Sequence, residues 1–343
     1  MVPGTKQKRT QLLTPAAPAF SFSCTNDYIR YSFARSPNPS GYLSTLTQKG
    51  RHRTMSGRNF MEMLKARWAE GKFVCVGLDP DFDKIPQHIR EKHAGSDFVG
   101  KNTAVKEFLR AIITATDDLV CAYKPNAAFF EGLSEDGGSV LRDAIFNAKC
   151  LSRFDVPVIY DAKRADIGNT NRGYVASAFD VYGADAITVS PYFGKEALQP
   201  FLERTNKGIV VLCRTSNPGA DEFQDLLVEQ QGPLYRIVAQ NVAKEWNSNG
   251  NCLLVVGATT PDELADVRGV VGDMPILIPG IGAQGGDLEA SVRNGMNSKD
   301  EGFIINVSRS VLYASSGEDF AEAARAEVIR LNTVINGVLE AHR

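Results

Sequence analysis

Residues 156–166, with the sequence VPVIYDAKRAD, place a cluster of charged residues directly after a short β-branched apolar run. Continuous apolar character predicts a strand that is buried on both faces, as in a parallel sheet covered by helices. Seven further runs of this kind occur along the chain. They are FVCVGL (73–78), LVCAY (119–123), AITVS (186–190), IVVLC (209–213), CLLVVG (252–257), ILIPG (276–280) and FIINVS (303–308).

Helical patterns alternate with these predicted strands. Phe60, Met63, Leu64 and Trp68, for example, are spaced as one face of a helix. Eight strand–helix units in roughly 270 residues favour a (β/α)8 TIM barrel, which typically needs ~250 residues. A doubly wound open sheet is the alternative fold, but it would carry G-x-G-x-x-G after its first strand, where this chain has VGLDPD. We therefore predict an α/β protein with a single TIM-barrel domain over residues 56–343.

Residues 1–55 differ in composition from the rest of the chain. Up to residue 58 there are nine Lys and Arg against one acidic residue, Asp27. The segment is rich in Ser, Thr and Pro and has no apolar periodicity, which predicts a disordered basic leader. An organellar transit peptide is the alternative interpretation, because such peptides are rich in Arg and Ser and poor in acids.

The charge and hydropathy of the remaining chain exclude two classes of partner. Beyond residue 58 acidic residues outnumber basic ones, which argues against a general nucleic-acid binder. Uncharged apolar runs do not reach the ~18 residues that a membrane-spanning helix requires. We therefore expect no nucleic-acid or membrane partner, and a cytoplasmic location unless the leader directs the chain to an organelle.

The cysteine and histidine positions argue against several kinds of site. Four of the six cysteines fall in or beside apolar runs, which indicates buried thiols rather than a disulfide framework. The four histidines lie in the leader, in a polar loop and at the C-terminus. Histidine-based triads, histidine general bases and histidine-ligated metals are therefore not expected.

Charged residues stand at the carboxyl ends of the predicted strands, where TIM barrels build their active sites. They are Asp79, Lys124, Asp161, Lys163 and Asp166. Asp161 and Lys163 are two residues apart, so their side chains are expected on the same side of the strand. One such charge alone would indicate a helix cap or a solvated loop. Several unlike charges on neighbouring strands are costly to bury, which favours catalysis over stability as their purpose.

A second signal follows the last two predicted strands. The loop PGIGAQGGD (279–287) is rich in glycine, so its backbone N–H groups can approach an anion closely, as at Gly285. Gln284 adds a neutral donor, and Arg309 in the next loop adds a bidentate cation. Because these loops form the usual phosphate site of TIM barrels, the pattern predicts a phosphorylated small molecule as substrate.

DAKRADIGNT (161–170) resembles the D-x-K-x-x-D-I-x-x-T signature of the orotidine 5'-phosphate decarboxylase family. The resemblance covers about residues 57–341. YKPNAAFFE (123–131) is similar to the branch of the family with longer barrel loops. Further segments fit the family in the same order, namely VGLDPD (76–81), TSNPGA (215–220), VGATTPDEL (256–264) and PGIGAQGGD (279–287).

This resemblance implies decarboxylation of orotidine 5'-phosphate (OMP) to uridine 5'-phosphate (UMP), the last step of de novo pyrimidine biosynthesis, without a cofactor. It implies that Lys163 donates the proton to C6 of the pyrimidine and that Asp161 lies beside the substrate carboxylate. Lys124 and Asp79 would contact the ribose and complete the charged group. Ser216 would bind the edge of the pyrimidine.

The resemblance also implies a phosphate site and a homodimer. Gln284 and Arg309 would bind the phosphate, while Asp166 and Thr170 would reach into the active site of the partner subunit. Two alternatives remain: a magnesium-dependent phosphosugar decarboxylase or synthase of the same superfamily, and a catalytically silent barrel that binds a nucleotide.

Overall fold

The eight apolar runs form eight parallel strands of one sheet, which confirms the predicted barrel. The structure is a computed structural model and describes residues 57–94, 98–152, 154–282 and 285–343; the predicted leader (1–55) lies outside these residues. The strands are β1 (Val74–Leu78), β2 (Ala122–Pro125), β3 (Ile159–Arg164), β4 (Ala186–Val189), β5 (Gly208–Arg214), β6 (Cys252–Val256), β7 (Ile276–Pro279) and β8 (Phe303–Val307).

Hydrogen bonding runs through the sheet in the order β2-β1-β8-β7-β6-β5-β4-β3. Parallel bridges from Tyr123 to Val158 and from Asn126 to Asp161 bring β2 and β3 together. The sheet therefore curves round into a barrel, and the carboxyl ends of all strands meet at one mouth. The strand residues are almost all buried, as expected for a sheet packed on its inner face and covered by helices.

Helices cover the outside of the sheet. They are α1 (Phe60–Ala69), α2 (Gln87–Lys92), α3 (Phe98–Thr116), α4 (Ala127–Glu131), α5 (Gly137–Phe146), α6 (Gly168–Val175), α7 (Gly194–Leu202), α8 (Leu234–Asn241), α9 (Pro261–Val271), α10 (Leu288–Gly295), α11 (Arg309–Leu312) and α12 (Phe320–His342). A short antiparallel hairpin pairs Leu227–Val228 with Gly232–Pro233 in the loop after β5. Within the described residues, no helix is long and apolar enough to cross a membrane.

The predicted helix at Phe60 is confirmed, and it packs against the amino end of the barrel. Its first turn is capped by Asn59, whose side chain accepts from two backbone N–H groups. The Phe60 ring lies against Gly208 at the start of β5, where an added Cβ would come within 2.4 Å of the ring. Beside it, Arg58 donates to the buried carboxylate of Asp185 at 2.8 and 3.0 Å. These contacts fix the beginning of the described chain to the face opposite the mouth.

Two strands extend further toward the mouth than their apolar runs predict. β2 continues to Pro125 and β3 to Arg164. Lys124 and Lys163 therefore lie within strands rather than after them, and Asp161 is not the last residue of its strand. This difference matters for the site, because strand positions are held by the ladder and by packing more firmly than loop positions are.

Candidate active site

Three charged side chains form one hydrogen-bonded group at the mouth of the barrel. Lys124 Nζ on β2 donates to Asp161 Oδ2 on β3 at 2.6 Å, and both side chains are buried. Lys163 Nζ donates to the other carboxylate oxygen of Asp161, Oδ1, at 2.8 Å. The Lys163 side chain is 49% exposed, so its ammonium faces the opening. One carboxylate is therefore held between a buried ammonium and an accessible one.

The electrostatics of this group keep its buried members ionised. Burial favours the neutral form of Asp161, but the ammonium groups of Lys124 and Lys163 outweigh it and hold the pKa of Asp161 well below its usual range. Burial also works against the charged form of Lys124, yet the carboxylates of Asp161 and Asp79 raise the pKa of Lys124 above its ordinary value. Each buried charge thus stabilises the other.

The backbone of Lys163 departs from strand geometry. Its φ is 47°, in the left-handed region that residues with a Cβ seldom adopt. The register between β3 and β4 shifts between Tyr160 and Arg164, which is the same place. Strict alternation therefore does not place Lys163 beside Asp161. The two side chains meet because the strand is irregular at this point.

Asp79 follows β1 at the mouth and is held by the chain beyond β8. Its Oδ2 atom accepts from Ser308 Oγ at 2.7 Å. Gly77 makes this contact sterically feasible, because a Cβ at that position would lie 1.9 Å from Ser308 Oγ. Asp79 Oδ1 is buried without a hydrogen-bond partner in the described structure. An unsatisfied carboxylate oxygen at the mouth is suited to accept from a ligand hydroxyl.

Asp166 and Thr170 lie between the end of β3 and the first turn of α6. Asp166 Oδ1 accepts from the backbone N–H of Ile167 at 2.6 Å. Thr170 is exposed in the first turn of the helix. Ile167 itself is 64% exposed, although it is a large apolar residue. The structure therefore places both polar residues on a surface that also carries exposed apolar side chains.

The segment after β5 is fixed by a reciprocal pair of hydrogen bonds. Gln224 Oε1 accepts from the Thr215 backbone N–H at 2.8 Å, and Gln224 Nε2 donates to Thr215 Oγ1 at 2.9 Å. Ser216 follows directly and packs against the end of β6, where a Cβ on Gly257 would be 2.8 Å from Ser216 Cβ. The predicted pyrimidine-binding residue thus stands on an anchored turn beside the barrel.

The loops after β7 and β8 have the backbone form expected of an anion site. Gly280, Gly282 and Gly285 all have positive φ, and Gly285 N–H donates to Gly282 O at 2.8 Å. Arg309 is exposed at the first position of α11. Gln284 lies outside the described residues. The predicted glycine turn and cation therefore occupy neighbouring strand ends, open to the mouth.

Three side chains that the sequence analysis did not single out complete the site. Thr188 on β4 donates to Asp161 Oδ1 at 2.8 Å, Ser308 binds Asp79, and Gln224 binds Thr215. Ser308 stands at the end of a predicted strand, so its position was an available signal, whereas Thr188 lies in the middle of one. The role of Gln224 depends on the path of a long loop, which has no comparable signature.

Nearly the whole barrel matches a known protein family. The profile of the orotidine 5'-phosphate decarboxylase / HUMPS family matches residues 72–326. The chain belongs to this family. The matched segment includes all of β1 to β8 and every candidate residue described above.

Two named orotidine 5'-phosphate decarboxylases resemble the chain over nearly their whole length, and a UMP synthase resembles it over part of its length. The orotidine 5'-phosphate decarboxylase of Janthinobacterium sp. (strain Marseille) is 48% identical over 278 residues, which are 81% of this chain and 98% of that protein. The structure of Leishmania donovani OMP decarboxylase matches with a TM-score of 0.67 and 37% identity, over 80% of this chain and 99% of that one. The structure of Leishmania donovani UMP synthase matches with a TM-score of 0.71 and 38% identity. The match covers 82% of this chain and 56% of that one.

Proposed function

We propose that this protein decarboxylates OMP to UMP, the last step of de novo pyrimidine biosynthesis. The observation that carries the proposal is the alternating group of Lys124, Asp161 and Lys163 at the mouth of the barrel. Family membership supports the same reaction, since the 48% identical relative is named orotidine 5'-phosphate decarboxylase.

The charges of the group suit the electron flow of this reaction. The bond between C6 and the carboxylate carbon breaks, CO2 leaves, and the electron pair remains on C6, where no ring orbital delocalises it well. A preorganised ammonium stabilises that pair in the transition state. Lys163 Nζ then transfers its proton to C6, which gives UMP and a neutral amine. Its exposure toward the opening supports this role.

Asp161 and Lys124 have supporting roles in the same scheme. The ionised carboxylate of Asp161 orients the Lys163 ammonium at 2.8 Å and stands where a substrate carboxylate would be repelled. Lys124 compensates the charge of Asp161 from the buried side. Asp79, with its unpartnered oxygen, is placed to accept from a ribose hydroxyl.

We propose that the phosphate of OMP binds between the loops after β7 and β8. Arg309 supplies the charge and Gln284 a neutral donor, while Gly285, which has no side chain, lets the phosphate approach the loop closely. The exposed position of Arg309 beside a turn of positive-φ glycines supports this assignment. Replacing Arg309 by alanine is expected to raise KM for OMP and also to lower kcat, because phosphate binding orients the ring.

A spectrophotometric assay of OMP consumption tests the reaction. Wild-type protein is expected to convert OMP, and Lys163→Ala is expected to lose nearly all turnover. Lys299→Ala is the matched control, because Lys299 is exposed in the loop before β8, at the opposite end of the barrel. A wild-type chain that leaves OMP unchanged would contradict the proposed function.

The two alternative functions are not favoured. Within residues 57–94, 98–152, 154–282 and 285–343, no three His, Cys, Asp or Glu side chains group closely enough to hold a metal ion. A Mg²⁺ site would need a group of carboxylate ligands at the mouth, where this chain instead has the ammonium of Lys124 bound to Asp161. Turnover that survives dialysis against a chelator would exclude the magnesium-dependent reaction, and any turnover at all would exclude the silent barrel.

We also propose that the protein is a homodimer with shared active sites. Ile167 is 64% exposed directly after the predicted shared residue Asp166, and Tyr192 is 87% exposed in the loop after β4, the strand that pairs with β3. Large apolar side chains grouped on one surface are typical of protein interfaces. Burying this surface against a second copy would bring both polar residues to the boundary between the subunits.

Subunit mixing tests the shared sites. Lys163→Ala and Asp166→Ala are each expected to be inactive, and mixed subunits are expected to regain activity. In each heterodimer one site carries both defects and the other carries neither, so about a quarter of all sites recover in a statistical mixture. If exchange is demonstrated and no activity returns, Asp166 works within its own subunit.

We propose that residues 56–343 carry the whole activity, in the cytoplasm, without nucleic-acid or membrane partners. Deleting residues 1–54 is then expected to leave kcat unchanged. Mass spectrometry of the N-terminus of the cellular protein distinguishes an intact leader from a cleaved transit peptide. Loss of turnover on deletion would show that the leader contributes to the enzyme.

A further inference from the structure

Thr188 connects two members of the charged group through one hydroxyl. It lies on β4 and its side chain is buried. Its Oγ1 atom donates to Asp161 Oδ1 at 2.8 Å and accepts from the backbone N–H of Lys163 at 2.9 Å. The direction of both bonds is fixed by charge, because an ionised carboxylate can only accept and a backbone N–H can only donate.

The contact coincides with the irregular part of β3. Lys163 has φ 47°, and the pairing of β3 with β4 shifts register between Tyr160 and Arg164. Where the ladder is interrupted, the N–H of Lys163 loses its backbone partner, and the hydroxyl of Thr188 replaces it. An unfavourable backbone conformation persists only where its surroundings hold it.

We infer that Thr188 is a positioning residue for the Lys163 ammonium. It holds the backbone from which the Lys163 side chain leaves, and it also holds the carboxylate oxygen to which that ammonium donates. Thr188 on β4 thus holds the backbone of Lys163 directly and its ammonium through Asp161. The inference rests on the proposed function, because the consequence for rate depends on Lys163 meeting C6 of the substrate.

Three variants separate positioning from simple structural support. Thr188→Val removes the hydroxyl and keeps the shape, and Thr188→Ser restores the hydroxyl. Thr116→Val is the matched control, because Thr116 is equally buried and its hydroxyl also makes two hydrogen bonds, to Ile112 O and Tyr123 OH on the outside of the barrel. Thermal unfolding is followed for every variant. If Thr188→Val does not fold, Thr188→Ala against Thr188→Ser provides the same comparison.

The expected result is a large change in kcat with a much smaller change in KM. In Thr188→Val, kcat for OMP is expected to fall on the order of 10- to 100-fold, the loss typical of a misplaced reacting group, with KM changing much less. Thr188→Ser is expected to remain within about threefold of wild-type kcat, and Thr116→Val to keep wild-type kcat whatever its unfolding temperature. A folded Thr188→Val with wild-type kcat, or an equal loss of kcat in Thr116→Val, would overturn the inference.

Hydrogen exchange provides a readout that does not depend on the reaction. The amide of Lys163, followed in a peptide spanning 159–166, is expected to be protected in wild type and Thr188→Ser and to exchange faster in Thr188→Val. Unchanged exchange in Thr188→Val overturns the contact itself. If wild-type protein does not convert OMP, the proposed function fails while this comparison still tests the role of Thr188.

Discussion

Replacing Lys124 by methionine removes the buried ammonium of the charged group and keeps a side chain of similar length. Asp161 Oδ2 then loses a donor at 2.6 Å in a buried environment. Breaking a buried ion pair by removing one partner costs about 3–5 kcal/mol, because the other charge is left without compensation. Asp161 keeps Lys163 and Thr188 as partners. We therefore expect a loss at the lower end of this range, about 3 kcal/mol in the free energy of unfolding at pH 7.5.

The matched control is an ion pair of the same type and length on the surface. Lys106 Nζ lies 2.7 Å from Asp143 Oδ2, but the two side chains are 34% and 43% exposed. Exposed pairs contribute about 0–1 kcal/mol, so Lys106→Met is expected to change the unfolding free energy by less than about 1 kcal/mol. Urea unfolding of wild type and both variants measures the difference. Lys124→Met is also expected to lose most of its turnover.

The pH dependence follows from the depressed pKa of Asp161. A carboxyl group whose pKa is lower in the folded state stabilises the fold above its unfolded pKa, about 3.9 for Asp, and this contribution is lost as the pH falls through the folded pKa. Lys124→Met raises the folded pKa toward or above the unfolded value. The stability deficit of Lys124→Met is therefore expected to be full at pH 7.5 and to narrow as the pH falls below the raised pKa of Asp161 in the variant, toward the depressed pKa of Asp161 in wild type. A deficit no larger than that of Lys106→Met, or one independent of pH, would refute this reasoning.

Three further substitutions test other contacts of the barrel. Gly77→Ala would place a Cβ 1.9 Å from Ser308 Oγ, so we expect loss of the Asp79 contact and a fall in kcat of roughly 100-fold in the OMP assay. Arg268→Met removes a donor from four backbone carbonyl oxygens, of which Gly302 O keeps the Ile276 N–H; this is expected to cost about 3 kcal/mol in urea unfolding while kcat at 25 °C is unchanged. Gln224→Ala frees Thr215 beside the pyrimidine site, and we expect KM for OMP to rise by roughly tenfold with a smaller change in kcat.

The strands were predictable because each one is buried on both faces. A run such as IVVLC (209–213) has no polar alternation, and the structure places it in β5 (Gly208–Arg214). The rule that barrel sites form at carboxyl strand ends then selected Asp79, Lys124 and Asp161 from forty acidic and thirty-eight basic residues. The structure brings Lys124 and Asp161 into direct contact.

The remaining features depend on contacts between distant segments. Thr188 sits within AITVS (186–190), where a threonine is indistinguishable from any other β-branched residue of a buried strand. The left-handed backbone of Lys163 follows from the register shift between β3 and β4, which sequence periodicity cannot encode. Asp161 and Lys163 were expected on one side because they are two residues apart, and they meet through this irregularity instead.

The different exposures of the two lysines suggest why the group contains both. Lys124 is buried and Lys163 is half exposed, although each donates to an oxygen of the same carboxylate. In the proposed reaction, Lys163 becomes neutral when it gives its proton to C6, and one of the two charges that compensate Asp161 disappears. Because Lys124 remains charged and in contact at 2.6 Å, Asp161 stays ionised and ready to stabilise a newly protonated Lys163. With a single lysine, proton transfer would leave a buried carboxylate without a cationic partner at the moment of product formation.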